Sequence, residues 1–300
     1  MLDRRDDRPD RRVELGLGEE LDNLLDVAVL GLQLEEGHVV ALEHRRLDLV
    51  GRFLEHDQEV AAGVLDLRIL HRFGPVNQGV TQFFGLDQAS MRLGFDYGIS
   101  KNFTIGIGRT TTQKELDGFL KFRPLQQATG PGGSPVSIVL VAGMSVQTYK
   151  NLDPSKEVSF NLRSGYYYQA IFGRKFSPRF SLQLSPTLVH RNEVASGDIN
   201  DIFAAGVGGR YKFSKRMAFV VDYFYVTNGL PHSAGSNPLS VGVDIETGGH
   251  VFQLHFSNTS GMNERAFITQ TTNKWGNGDI QFGFNLSRVF NLKKKKPSTY

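Results

Sequence analysis

What most constrains this chain is alternation. From Gly63 onward, apolar and polar residues trade places with a period of two. In Ala89–Ile99, the residues Ala89, Met91, Leu93, Phe95, Tyr97 and Ile99 fall on one face, and Ser90, Arg92, Gly94, Asp96 and Gly98 on the other. Successive strand side chains point to opposite sides of a sheet, so such a run reads as a half-buried strand. The pattern recurs in Ser159–Gly173, Phe180–Arg191 and Asp279–Phe290. It predicts twelve strands, over 63–73, 89–99, 102–110, 115–124, 135–148, 158–174, 179–191, 201–213, 217–227, 238–246, 249–258 and 279–290. The 33 Gly, 22 Phe and 9 Tyr agree with a strand-rich chain. No uncharged apolar stretch reaches the roughly 18 residues a helix needs to cross a bilayer, whereas strands cross with only this alternating signal.

The predicted connections differ in kind. Tight turns follow strands two, six, eight and ten, at Ser100-Lys101, Ser177-Pro178, Ser214-Lys215 and Thr247-Gly248. Longer polar loops follow strands one, seven, nine and eleven, the longest over 258–278, and a Gly/Pro linker over 126–135 follows strand four. Short turns at one end and long loops at the other match the periplasmic and extracellular rims of a membrane barrel. A soluble β-sandwich or lipocalin-like barrel would carry the same alternation with its apolar face inward. Two features favour the membrane. The polar face is rich in Gly, Ser, Asn and charge, and Tyr97, Phe103, Phe180 and Phe290 sit near strand ends, where an aromatic girdle belongs. The expected fold is therefore all-β, an antiparallel up-and-down transmembrane β-barrel spanning residues 61–292.

Residues 1–60 differ from the rest. They contain no Lys, Ser, Thr or Tyr and hold 8 Arg against 16 Asp+Glu, a net of −8. Residues 61–300 hold 26 Lys+Arg against 15 Asp+Glu, a net of +11. No basic segment followed by an apolar one marks a secretory signal. This composition favours a mis-called start or shifted frame over a periplasmic appendage or plug. Residues 293–300, with Lys293–Lys296, read as a basic, solvated tail. With no aromatic platform beside it, nucleic acid is not an expected partner.

The polar face supplies the candidate site. Its lumen-lining residues are Arg68, Arg92, Asp96, Asp117, Lys121, Arg163, Arg191, Asp222, Asp244, Glu246, Gln253 and His255, with Asp66 and Arg72 beside them. Mixed charges there can line a pore or lock the interior as ion pairs. The net positive charge points to a preference for anions if a pore is open. His255 and Ser257 share a face two residues apart, and a membrane hydrolase would need such a base beside its hydroxyl; the spacing is too common to carry that reading, so no catalytic residue is assigned. His71-Arg72 and His190-Arg191 near strand ends suit rim hydrogen bonding or lipid head groups. Scattered histidines and the absence of cysteine give no metal site or thiol chemistry, and no cofactor is expected. The 258–278 loop, with Met262, Phe267, Ile268 and Trp275, is placed either to meet an external ligand or to fold into the lumen as a constriction.

Several stretches carry a resemblance: HRFG at 71–74, FFGLDQASMRLGFDYGI at 83–99, GIGR at 106–109, DGFLKF at 117–122, LQLSPTLVHRN at 182–192, DIETGGHVFQLHFSN at 244–258 and WGNGDIQFGFNLSRVF at 275–290. Together they resemble the DUF5777 family of uncharacterised outer-membrane β-barrels of Gram-negative envelopes. The resemblance implies outer-membrane localisation and surrounding lipid. It supplies no catalytic residues, and residues 1–60 do not match the signal peptide and short lead-in expected of members. Phe290 stands where barrels commonly carry the aromatic that the barrel-assembly machinery reads. The expected function is a passive pore or small transporter for an unidentified solute, with a structural or surface-interaction barrel of plugged lumen as the alternative.

Overall fold

The computed structural model describes residues 60–149, 159–232, 234–247 and 250–292. The segment 1–59, the basic tail and Gly248 of the last predicted tight turn lie outside the described residues. Twelve strands form: β1 (Val64–Pro75), β2 (Ala89–Ser100), β3 (Phe103–Thr110), β4 (Glu115–Leu125), β5 (Ser137–Gln147), β6 (Ser164–Lys175), β7 (Phe180–Arg191), β8 (Asp201–Lys212), β9 (Met217–Val226), β10 (Leu239–Thr247), β11 (His250–Ser257) and β12 (Gln281–Asn291). Each pairs antiparallel with its chain neighbours, and β12 pairs with β1 to close a barrel. The β1–β12 seam runs from Val64↔Asn291 to Arg72↔Gly283 before a bulge shifts its register. One short helix, α1 (Glu264–Thr269), interrupts the β11–β12 connection. Among the described residues no helix is long and apolar enough to cross a membrane.

The predicted strands match except at the start of β6, expected at residue 158. Residues 159–163 turn instead, with Arg163 N–H donating to the Ser159 carbonyl at 3.3 Å and Ser164 N–H to the Asn161 carbonyl at 3.0 Å. Arg163 therefore sits on the long-loop rim rather than on the strand wall where the alternation placed it. Its guanidinium donates to the Tyr149 carbonyl at 2.7 Å.

Burial follows the period of two, inverted relative to a protein in water. On β8, Phe203 is 50% exposed and faces out, while Ile202 is 0% exposed and Arg210 3%. Across the barrel, Leu120, Tyr168, Leu184, Phe219, Tyr225 and Phe252 are exposed while Arg92, Asp96, Lys121 and Asp244 are buried. An apolar band of this extent calls for lipid, and a closed ladder leaves no strand edge unpaired within it. Inside the wall, three aromatic rings lie over directly opposed glycines: Phe119 over Gly106, Tyr167 over Gly143 and Phe224 over Gly206. A Cβ added at these glycines would meet the ring at 2.2, 2.1 and 2.5 Å respectively. The missing side chains are the space the rings occupy.

Two outcomes follow. The full chain refolded in detergent should migrate differently in gel electrophoresis before and after boiling, because a closed barrel resists cold detergent. Gly143→Val should lower the urea midpoint of that folded band, costing about 1–3 kcal/mol by overpacking against Tyr167. Gly118→Val should cost less, since a Cβ there has no neighbour closer than 3.5 Å.

Candidate functional site in the lumen

The β11–β12 connection resolves the choice its sequence left open: it folds inward. Met262 is 5% exposed, Phe267 4%, and Ile268 and Thr269 0%. Asn263 caps α1 by accepting from Ala266 N–H at 2.9 Å. At the other end, the Thr269 and Thr271 hydroxyls donate to the Arg265 and Phe267 carbonyls at 2.7 and 2.6 Å. A six-residue helix is far too short to persist alone in water, so tertiary contact must hold it. The loop base is tied as well. Asn258 Nδ2 donates to the carbonyls of Asn237 and Asn273, both at 3.0 Å, and the Trp275 indole donates to the Leu239 carbonyl at 3.0 Å.

The inner wall is divided, and α1 matches both parts. On one side Phe119, Val139, Val141, Tyr167, Ile171, Val189, Ile202 and Phe224 make an apolar surface with Phe267 and Ile268. Phe267 meets Phe224 edge to face, with centroids 6.0 Å apart. On the other side, Asn263 and Glu264 border a small gap shared with Leu70, Arg72, Ser240, His255 and Asn285. Arg265 then crosses to β4 and β5. Its Nη2 donates to Glu115 Oε1 at 2.6 Å and its Nε to Ser145 Oγ at 2.6 Å. Gly165 makes room for this arm; a Cβ there would meet Arg265 Cδ at 2.5 Å. Burial pushes the Glu264 carboxyl up to about 7, against the opposing effect of a backbone hydrogen bond, Arg92 and Lys121; Asp117 adds to the rise.

The predicted polar residues form networks. Arg92 and Asp117 make a bidentate pair, with Nε to Oδ1 at 2.8 Å and Nη2 to Oδ2. Arg68 bridges Asp66 at 3.0 Å and Asp96 at 3.2 Å. Arg210 bridges Asp244 at 3.1 Å and Glu246 at 2.7 Å. Gln253 donates to Asp244 at 2.9 Å, Asn285 to Gln253 at 2.8 Å, and Arg72 to Asn285 at 2.8 Å. A chain of polar contacts thus runs from β8 through β10, β11 and β12 to β1. Lys121 lies over the Phe119 ring, 5.6 Å from its centroid. Asp222 is buried on β9 and His255 on β11. Arg191, at the long-loop end of β7, donates to the Ile199 carbonyl at 2.8 Å. Buried charges of this kind persist only when paired, and removing one partner of such a pair typically costs about 3–5 kcal/mol.

Other candidates separate. The Ser257 hydroxyl is taken up by Ser240 Oγ at 2.6 Å and the Leu239 carbonyl at 3.3 Å. His255 and Ser257 are both sealed inside the wall, away from lipid. His71 stacks on Phe284 on the outer face, with centroids 5.0 Å apart. His190 bonds Asp201 at 2.7 Å and Asn192 at 3.0 Å on the long-loop rim. Among the described residues no group of three metal-ligating side chains forms. The alternation alone does not single out Glu115 and Ser145, although both share the inward parity of Asp117 and Val141. Nothing in the pattern paired Arg265 with Glu115, 150 residues away.

No curated protein matches the chain. Among solved structures, it is similar to the KdgM porin, at 10% identity and a TM-score of 0.45, over 76% of this chain and 99% of that one. It is similar to the COG4313 outer membrane channel from Pseudomonas putida F1, at 11% identity and a TM-score of 0.44, over 78% and 97%. It is also similar to the outer membrane protein Omp33 of Acinetobacter baumannii, at 12% identity and a TM-score of 0.36, over 75% and 97%. A family model described as a membrane bound beta barrel domain matches residues 55–290, and the chain belongs to that family, DUF5777.

Proposed function

We propose that the protein is an outer-membrane channel for a small hydrophilic solute, occluded by the inserted β11–β12 loop. The observation that carries this reading is Arg265 of the inserted loop, tied to Glu115 and Ser145 on the inner faces of β4 and β5. Together with the packing of Phe267 and Ile268 it holds a helix too short to persist alone, so loosening the Arg265 tie favours departure of the loop as a unit. Tight turns on one rim and long loops on the other support an outer-membrane setting. The net of +7 over residues 61–292, with the four lysines of the basic tail set aside, supports a preference for anions. A lipid hydrolase is disfavoured, because the Ser257 hydroxyl is engaged and faces away from lipid. One observation favours the second reading, a permanently filled lumen: Arg92–Asp117, Arg68–Asp96 and Arg210–Asp244 occupy the interior as mutual pairs.

The test is planar-bilayer recording of the refolded full chain. Wild type should show small, discrete steps, with a reversal potential of anionic sign in a KCl gradient. Arg265→Ala should raise the open time severalfold. Silence in both proteins, with the folded gel band intact, would establish the filled lumen instead.

Glu264 gives the channel a pH dependence. A solvated carboxyl ionises near 4.5, whereas the docked one holds its proton to about 7. Docking is therefore strongest below about 4.5 and weakens as pH rises toward about 7, where the docked group must ionise against burial. Open time should be longer at pH 8 than at pH 5, and Glu264→Gln should flatten the profile.

A further inference from the structure

The outward side of the short-turn rim carries charge of one sign. Lys101 stands in the β2–β3 turn, Arg179 in the β6–β7 turn, and Lys215 and Arg216 in the β8–β9 turn. Arg174 and Arg288 project from the outer faces of β6 and β12, close to the same rim. All six are exposed. No ion pair joins any of them to a carboxylate among the described residues. The described acidic side chain nearest this rim, Glu246, turns inward to Arg210 and Lys212. The opposite rim is mixed, with Asp87, Glu193, Asp201 and Asp279 among its basic residues.

This collar sits on an aromatic girdle. The Arg174 guanidinium lies 4.9 Å from the centroid of Phe176, and that of Arg288 lies 5.1 Å from Phe290. Phe176 packs on Phe180 at 5.8 Å, and Phe213 on Phe219 at 4.5 Å. Rings of this kind settle at the boundary between acyl chains and head groups. A guanidinium stacked on such a ring keeps its N–H donors at the same depth, where the anions of a bilayer are phosphates.

We infer that the short-turn rim is a collar that binds the phosphate groups of anionic phospholipids in the leaflet facing it. The collar lies outside the lumen, so the inference stands whether the lumen opens or stays filled. The charge and the depth identify the occupant: an array of cations spread around a barrel at head-group level meets lipid before any soluble partner. Each basic residue near a charged membrane surface contributes about fivefold in affinity, so several acting together enrich the surrounding shell in charged lipid.

The experiment refolds the full chain into vesicles of phosphatidylcholine and phosphatidylglycerol, releases the protein with its lipid shell in a styrene–maleic acid polymer, and measures the lipid by mass spectrometry. Phosphatidylglycerol should be enriched over its share in the vesicle, and added salt should reduce the enrichment. A variant carrying R174Q, R179Q, R216Q and R288Q should lose it while keeping the boiling-dependent gel shift. A variant at the opposite rim, R109Q with K114Q and K274Q, should keep it. No enrichment in the wild type would overturn the inference. So would equal loss in the opposite-rim variant. Displacement by millimolar inorganic phosphate at constant ionic strength would also overturn it, and would assign the rim to a soluble phosphate.

Discussion

Every other property of this molecule depends on one closure, the pairing of β1 with β12. In hydrocarbon an unpaired backbone amide or carbonyl has no water to bond, so an open sheet of eleven ladders could not cross a bilayer. The seam joins Asp66, Arg68 and Arg72 to the strand bearing Asn285 and Ser287. Ser287 donates to Asp66 at 2.7 Å, and Arg72 to Asn285 at 2.8 Å. The closing pair is therefore bonded through its side chains inside the barrel as well as through its backbone. That doubling sits where the two most distant strands of the chain must find each other.

Once the sheet is closed, the interior must be filled or wet, and here it is filled in two ways. Around β10, β11, β12 and β1 the filling is polar, each charge answered by a neighbour. On the inner face of β5 to β9 it is an apolar patch, with Val139, Ile171, Val189 and Ile202 pointing in beside polar residues such as Gln169, Gln183 and Arg210. A bare apolar wall facing a water-filled channel would cost free energy. The inserted loop resolves this by laying Phe267 and Ile268 against it. The asymmetry of the wall thus dictates which way α1 faces, leaving Asn263 and Glu264 toward the polar half.

The strands were legible because lipid on one side and a filled lumen on the other force a strict period of two. Ala89–Ile99 could be read residue by residue. The inward apolar residues were harder to read, since Val139 and Val141 flank the outward Leu140 and make a run with no alternation at all. β6 begins six residues after the point where the alternation sets in, because Phe160 and Leu162 keep the period of two going through what is a turn, and the same period assigns Arg163 to the wall. The polar lumen residues were legible as a face, but their pairing was not. Arg92 finds Asp117 two strands away, past Gly108, a contact that depends on strand tilt rather than on spacing. The entry of the loop into the lumen rested on Arg265 and Glu115, and no local pattern records a contact of that sequence separation.

The seam also sets a schedule. Ser287 and Asp66 are 221 positions apart, so the ring cannot shut until nearly the whole wall has formed. The last hairpin, β11 to β12, is the one that carries α1. Its helix meets Glu115 inside the wall that its own second strand completes. Closure of the ring therefore completes the chamber that the loop enters, and a chain that closed with the loop outside could still admit it through the long-loop mouth, by the reverse of the movement that opens the channel.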